Sequence, residues 1–111
     1  VENIMTLLLM LLAWHALADY PLQGDFLAKA KNRFAPIPGV PWQQALGAHA
    51  LIHAAGVAVL TGSVWLGLVE FVAHSMIDDA KCRGRINFNQ DQALHALCKL
   101  VYVGVILSCA P

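Results

Sequence analysis

The sequence predicts an all-α protein, a single domain over residues 1–111 built as an antiparallel four-helix transmembrane bundle. Three observations carry this. The 111 residues are 59% apolar and only 13% charged, with a mean hydropathy of +0.61; soluble domains run at about 45–50% apolar and about 25% charged. The apolar residues gather into four stretches, each near the roughly 17–25 residues that cross a hydrocarbon core as a helix. Six of the seven basic residues fall in alternate connections between those stretches.

The first stretch covers about residues 4–22 and the second about 42–60. Thr61-Gly62-Ser63 makes a short turn into the third, about 64–80, which is the shortest. The fourth covers about 92–110. The longer connections are polar or rich in Pro and Gly: 29–41 holds Pro36, Pro38, Gly39 and Pro41, and 81–90 holds Lys81, Arg83 and Arg85. Strand alternation, internal repeats and low-complexity runs are absent. In lipid a backbone must satisfy its own hydrogen bonds, so each stretch is expected to be helical.

Lys29, Lys31 and Arg33 lie in the first connection, on the same side as Lys81, Arg83 and Arg85 in the third. The positive-inside rule puts that side in the cytoplasm and both termini outside. A rival reading makes the first stretch a cleaved secretory signal, since Ala16-Leu17-Ala18 resembles a cleavage site. Its leading residues, Val1-Glu2-Asn3, are acidic where a signal is basic, so a retained helix is expected. The net charge of zero lacks the basic signature of a nucleic-acid binder. Cys82, Cys98 and Cys109 have no CxxC spacing and read as small buried apolar residues.

The chemistry lies in the polar residues of the apolar stretches. His15 and Asp19 are four apart, as are His49 and His53, Glu70 and His74, His74 and Asp78, and Asp91 and His95. His, Asp and Glu fill 12 of the 111 positions, so such a partner beside any one histidine is expected roughly one time in five. Every histidine has one. Residues i and i+4 share one helix face, a turn apart, so each pair can point at a single centre. At 1.5 Å rise per residue, all the pairs lie within roughly 15 Å of the basic side. Antiparallel packing then gathers them at one level, and the far half is left without ionisable groups apart from Glu2.

Ionisable groups inside a membrane are expensive and usually functional. Imidazole nitrogens and carboxylate oxygens are ligands for divalent metals, zinc first, with iron or manganese as alternatives. The candidate ligands are His15, Asp19, His49, His53, His74, Asp78, Asp91 and His95, more than one ion needs. Glu70, a turn deeper, is the candidate catalytic base, with ligand or partner of His74 as its other roles. Gln23 and Gln92 flank the cluster. The competing reading is a metal-free hydrogen-bonded network that holds the helices together, and a proton or ion path is a third. Small residues (Ala13, Ala16, Gly47, Ala50, Ala54, Gly104) suit close helix packing, and Trp14, Trp42, Trp65 and Tyr102 suit membrane interfaces or lipid contact.

The pattern His15-x-x-x-Asp19-Tyr20-Pro21-Leu22-Gln23, His49-x-x-x-His53, Glu70-x-x-x-His74-x-x-x-Asp78-x-x-Lys81 and Asp91-Gln92-x-x-His95 resembles the DUF3307 family of small bacterial and phage membrane proteins. That resemblance implies a bacterial inner-membrane location without supplying a reaction. The His-x-x-x-Asp pairs are also similar to those of YdjM-like membrane-bound metal-dependent hydrolases and of the zinc-dependent phospholipase C and nuclease group. This likeness implies metal-assisted hydrolysis of a lipid or other phosphoester at the cytoplasmic interface, with Lys81, Arg83 and Arg85 near an anionic, phosphate-bearing substrate. The alternative is a non-enzymatic membrane protein or phage- or host-encoded interaction partner with a structural metal or a His/Asp hydrogen-bond network, in contact with lipids and with a protein partner or a second copy of itself.

Overall fold

The computed structural model describes residues 3–109, and among them the chain is entirely helical: α1 (Ile4–Asp19), α2 (Gly24–Ala30), α3 (Trp42–Thr61), α4 (Val64–Arg83) and α5 (Phe88–Cys109). The leading Val1-Glu2 and the last residue of the fourth expected stretch, Ala110, lie outside the described residues. α1 packs on α3, α3 on α4, α4 on α5 and α5 back on α1, so the four long helices close a ring; α2 lies against α3. The body is elongated, 51 × 23 × 22 Å.

The helix ends follow from local chemistry. Asn3 Oδ1 accepts from the amide of Thr6, and Ser63 Oγ accepts from the amide of Leu66, which starts α1 and α4 with side-chain caps. α5 starts at Phe88, four residues before the expected position, because Asn87 and Gln90 form a reciprocal capping box: Asn87 N donates to Gln90 Oε1 and Gln90 N to Asn87 Oδ1. α4 runs on to Arg83 and stops at Gly84, which is left-handed. α1 stops at Asp19 rather than residue 22, since Pro21 disfavours helical backbone at Tyr20. Gly24, at φ +63°, then lets the chain turn by 83° into α2, a helix the sequence reading did not anticipate.

α3 and α5 are long and apolar enough to cross a membrane, and α1 with α2 makes a third such unit if the bent pair is one span. α4 misses that mark because it carries Glu70, Asp78, Asp79, Lys81 and Arg83. Polarity is distributed inside out. Met5, Leu9, Val59, Trp65 and Met76 are each about two-thirds or more exposed, while ten of the buried side chains are polar or charged and eleven apolar. So large a share of polar and charged side chains in the interior is unusual for a water-soluble fold.

Close approach falls at other small residues than most of those expected. A Cβ on Gly56 would strike the Trp14 ring, and one on Gly67 would meet Ala58 Cβ at 2.8 Å. Ala50 and Ala54 are buried as expected, but Ala13, Ala16 and Gly104 face outward and Gly47 has open space beside it. Cys82 and Cys98 are half-buried, whereas Cys109 is exposed, contrary to its reading as a buried residue. Trp65 is exposed, Trp14 donates to the Ile52 carbonyl at 3.2 Å, and Tyr102 is buried at 2% exposure. The expectation of lipid contact for Tyr102 is therefore corrected: its hydroxyl has an internal acceptor.

Candidate metal centre

All nine residues singled out by spacing converge inside the ring, one pair or triplet from each long helix. His15 and Asp19 come from α1, His49 and His53 from α3, Glu70, His74 and Asp78 from α4, and Asp91 and His95 from α5. The i,i+4 spacing puts each set on the inward face, and three of the imidazoles stack, with His53 and His74 centroids 3.7 Å apart and His74 and His95 4.1 Å apart, while His49 meets His53 and His74 edge-on and His15 is tilted against them. His49, His53, His74 and His95 are completely buried.

At the centre stand Asp19 Oδ1 and the Nε2 atoms of His49, His53 and His74. Asp19 Oδ1 is 3.0 Å from His49, 2.9 Å from His53 and 3.6 Å from His74, and the His49 and His74 nitrogens are 3.2 Å apart. Tetrahedral zinc, with bonds of about 2.0–2.1 Å, spaces neighbouring ligand atoms about 3.3 Å apart. Two further donor sets, His15 with His74 and His95, and Asp19 with Asp91 and His95, each bring their ligand atoms within 4.8 Å of one another. All are nitrogen and oxygen donors without sulfur, the set that suits zinc, iron or manganese.

His74 decides what the centre requires. Its Nδ1 faces Glu70 Oε2 at 3.0 Å, the arrangement in which a carboxylate holds a ligating histidine's outer N–H. Nε2 is then the bare nitrogen, yet it faces Asp19 Oδ1, Asp78 Oδ2 at 3.5 Å and His49 Nε2. Carboxylate oxygens thus face it on two sides and, with His49 Nε2 also bare, electron pairs meet on a third. Such a site needs positive charge between them, from a metal ion or from further protons on the histidines. The whole cluster agrees: Asp19, Glu70, Asp78 and Asp91 bring four negative charges, and the buried Lys31 and Lys99 return two. With neutral histidines, the remaining charge equals that of one divalent cation. The Nδ1 atoms of His15, His49, His53 and His95 are buried without hydrogen-bond partners among the described residues, so no contact there fixes which nitrogen of those rings carries the proton.

Two lysines and a tyrosine belong to the site and were missed in the sequence. Lys99 Nζ donates to both oxygens of Glu70, at 2.9 and 3.0 Å, and Tyr102 Oη donates to Oε1 at 2.7 Å. Lys99 lies four residues after His95, so the same i+4 stripe pointed to it. Lys31, read as a topology anchor, is instead buried and donates to Asp78 Oδ2 at 2.7 Å. Nothing in the helical spacing could signal this, because Lys31 follows α2. Glu70 faces the back of His74 rather than the centre, and its oxygens are engaged by Lys99, Tyr102 and His74.

Gln92 bridges Asp19 and Asp91, donating at 2.8 and 3.1 Å, while its Oε1 stands 3.0 Å from His15 Nε2. Gln23 turns to the backbone, donating to the Asp19 carbonyl. Among the described residues, Arg33 makes a two-point ion pair with Asp79 at 2.8 and 3.0 Å, and that carboxylate holds the guanidinium above its ordinary pKa. Five of the surface cavities among the described residues are lined by no residue of the cluster.

Residues 7–110 match the model of a family described as protein of unknown function, DUF3307. No curated protein and no solved structure matches the chain.

Proposed function

The chain belongs to the DUF3307 family, and we propose that it is an integral membrane protein of four antiparallel spans whose interior binds a divalent metal ion, zinc before iron or manganese. The charges that lower the hydropathy of α4 support the fourth span. Glu70 and Asp78 face the interior, Lys81 and Arg83 lie in the last turn, and the outward residues Trp65, Leu68, Val69, Val72 and Met76 are apolar. Twenty residues of helix extend about 30 Å, the thickness of a hydrocarbon core. With the basic connections cytoplasmic, both termini lie on the other side.

The observation that carries metal binding is His74, held at Nδ1 by Glu70, with its Nε2 facing carboxylate oxygens of Asp19 and Asp78 and the Nε2 of His49. A divalent ion held by Asp19, His49, His53 and His74 removes that repulsion and balances the buried charge in one step. The bound ion would supply Lewis acidity, but four protein ligands and the complete burial of its three histidines favour an ion that is held, joining α1, α3 and α4. Hydrolysis of a lipid or phosphoester is the second reading, favoured by the surplus of donors and by the half-buried edge at Asp19 and Gln92.

The test is metal analysis of detergent-purified protein beside a His49→Ala/His53→Ala variant, with a chromogenic phosphodiester assay on both. Stoichiometric metal is expected in the wild type and little in the variant, with no turnover in either. Equal, negligible metal in both would leave only a protonated hydrogen-bond network. Metal-dependent turnover in the wild type that the variant loses would establish the second reading instead.

A further inference from the structure

The cluster holds donors for two ions, yet one of its carboxylates is already neutralised by the protein. Asp78 Oδ2 takes the Lys31 ammonium at 2.7 Å, although the same oxygen stands 3.4 Å from His49 Nε2 and 3.5 Å from His74 Nε2. Asp78 Oδ1 faces His95 Nε2 at 3.0 Å, and Asp91 Oδ1 faces that nitrogen at 3.4 Å. Asp91 is only 2% exposed, and its Oδ1 has no hydrogen-bond partner among the described residues. Asp78 Oδ1 and Asp91 Oδ1 therefore both face His95 Nε2 beside the first set, and the second of them is an unpartnered carboxylate oxygen.

We propose that Lys31 is an internal cation standing in for a second metal ion at Asp78, Asp91 and His95, so that the protein loads one divalent ion instead of two. This rests on the metal-binding reading above. The fold delivers Lys31 deliberately. Gly24 turns the chain into α2, α2 lies on α3, and the Arg33–Asp79 ion pair ties the following residues to α4. Asp78 and Asp79 are adjacent, so the outer ion pair holds the backbone while the inner one places an ammonium among the ligands. Lys31 is 6% exposed, unlike Lys29, which is exposed on the same connection. A lysine serving only as a topology anchor would keep its charge in water. Burying an ammonium is costly unless it is paired, and its carboxylate partner is one that a metal would otherwise take.

Removing the ammonium while keeping the bulk of the side chain should open the second set. Zinc per chain would be measured on the full protein after equilibration with excess zinc and removal of free metal, for the wild type, Lys31→Met, Lys31→Arg and Lys31→Met/Asp78→Asn. The expected result is one ion in the wild type and in Lys31→Arg, two in Lys31→Met, and one again in the double variant. Two ions in the wild type would overturn the inference, and that arm depends on no variant folding. One ion in a Lys31→Met protein that stays helical and monodisperse would also overturn it, leaving the metal-binding reading intact. No ion in the wild type would overturn both.

Discussion

The two ends of the helical ring are held by opposite means. Toward the start of α1 the interior is apolar, with Leu7, Leu11, Val57 and Val103 buried together and the Tyr102 ring among them. Toward the other end it is filled by five imidazoles, four carboxylates and two ammonium groups. Both regions are built from the same helices, yet under the membrane-spanning reading proposed above lipid changes their balance. Lipid tails are as apolar as leucine, so packing leucines inside a membrane protein gains only contact and shape, without the hydrophobic term that water supplies. Charges gain the reverse, because leaving any of them unpaired away from water is severely penalised. The apolar end should tolerate change, and the polar end should fail when its charge balance is broken.

The largest effect expected is at Lys99. Lys99→Met would leave Glu70 with a buried charge held only by Tyr102 and His74, and breaking a buried pair in this way costs about 3–5 kcal/mol. Denaturant or thermal unfolding in detergent should show it, and Lys99→Met/Glu70→Gln should recover most of the loss. Failure of the double variant to recover would mean that the loss does not come from an unpaired charge on Glu70. In contrast, Leu11→Ala, at a residue only 1% exposed, should cost about 2 kcal/mol, the low end for such a truncation, because only packing is lost. Its metal content should match the wild type. A loss of metal on Leu11→Ala would show that the two ends are not separable.

How much of this division could be read from the sequence depends on which residues obey helical periodicity. The pairs at His15, His49, His74 and Asp91 were legible because i and i+4 share a face on any helix. The short turn at Gly62 and Ser63 and the alternation of basic connections supplied the rest of the alignment. The all-α class was equally legible, since four long apolar stretches admit no strand alternation. Lys99 was legible in principle, as the next step of the Asp91, His95 stripe, but its positive charge does not fit a search for metal donors. α2 was hidden because its start depends on a left-handed glycine after a proline break, and a seven-residue helix carries no readable period. Lys31 was out of reach for the same reason. Its contact with Asp78 spans 47 positions and depends on the turn that α2 makes.

Tyr102 lies on the border between the two ends and gives the smallest and most discriminating effect. Its ring belongs to the apolar cluster, while its hydroxyl donates to Glu70 Oε1 at 2.7 Å. Tyr102→Phe keeps the ring and removes one hydrogen bond, and Glu70 still has both of its contacts from Lys99. The cost should be about 1 kcal/mol, the usual net value of a single hydrogen bond. If Glu70 acts on the centre only by orienting His74, Tyr102→Phe should also leave metal stoichiometry at the wild-type value and weaken affinity slightly, as competition with a chelator would report. A stability loss as large as that of Lys99→Met would mean that the phenol, and not the ammonium, is the group that keeps Glu70 charged. The boundary between the ends would then run through Tyr102 itself, with the hydroxyl counted among the groups that the polar end cannot lose.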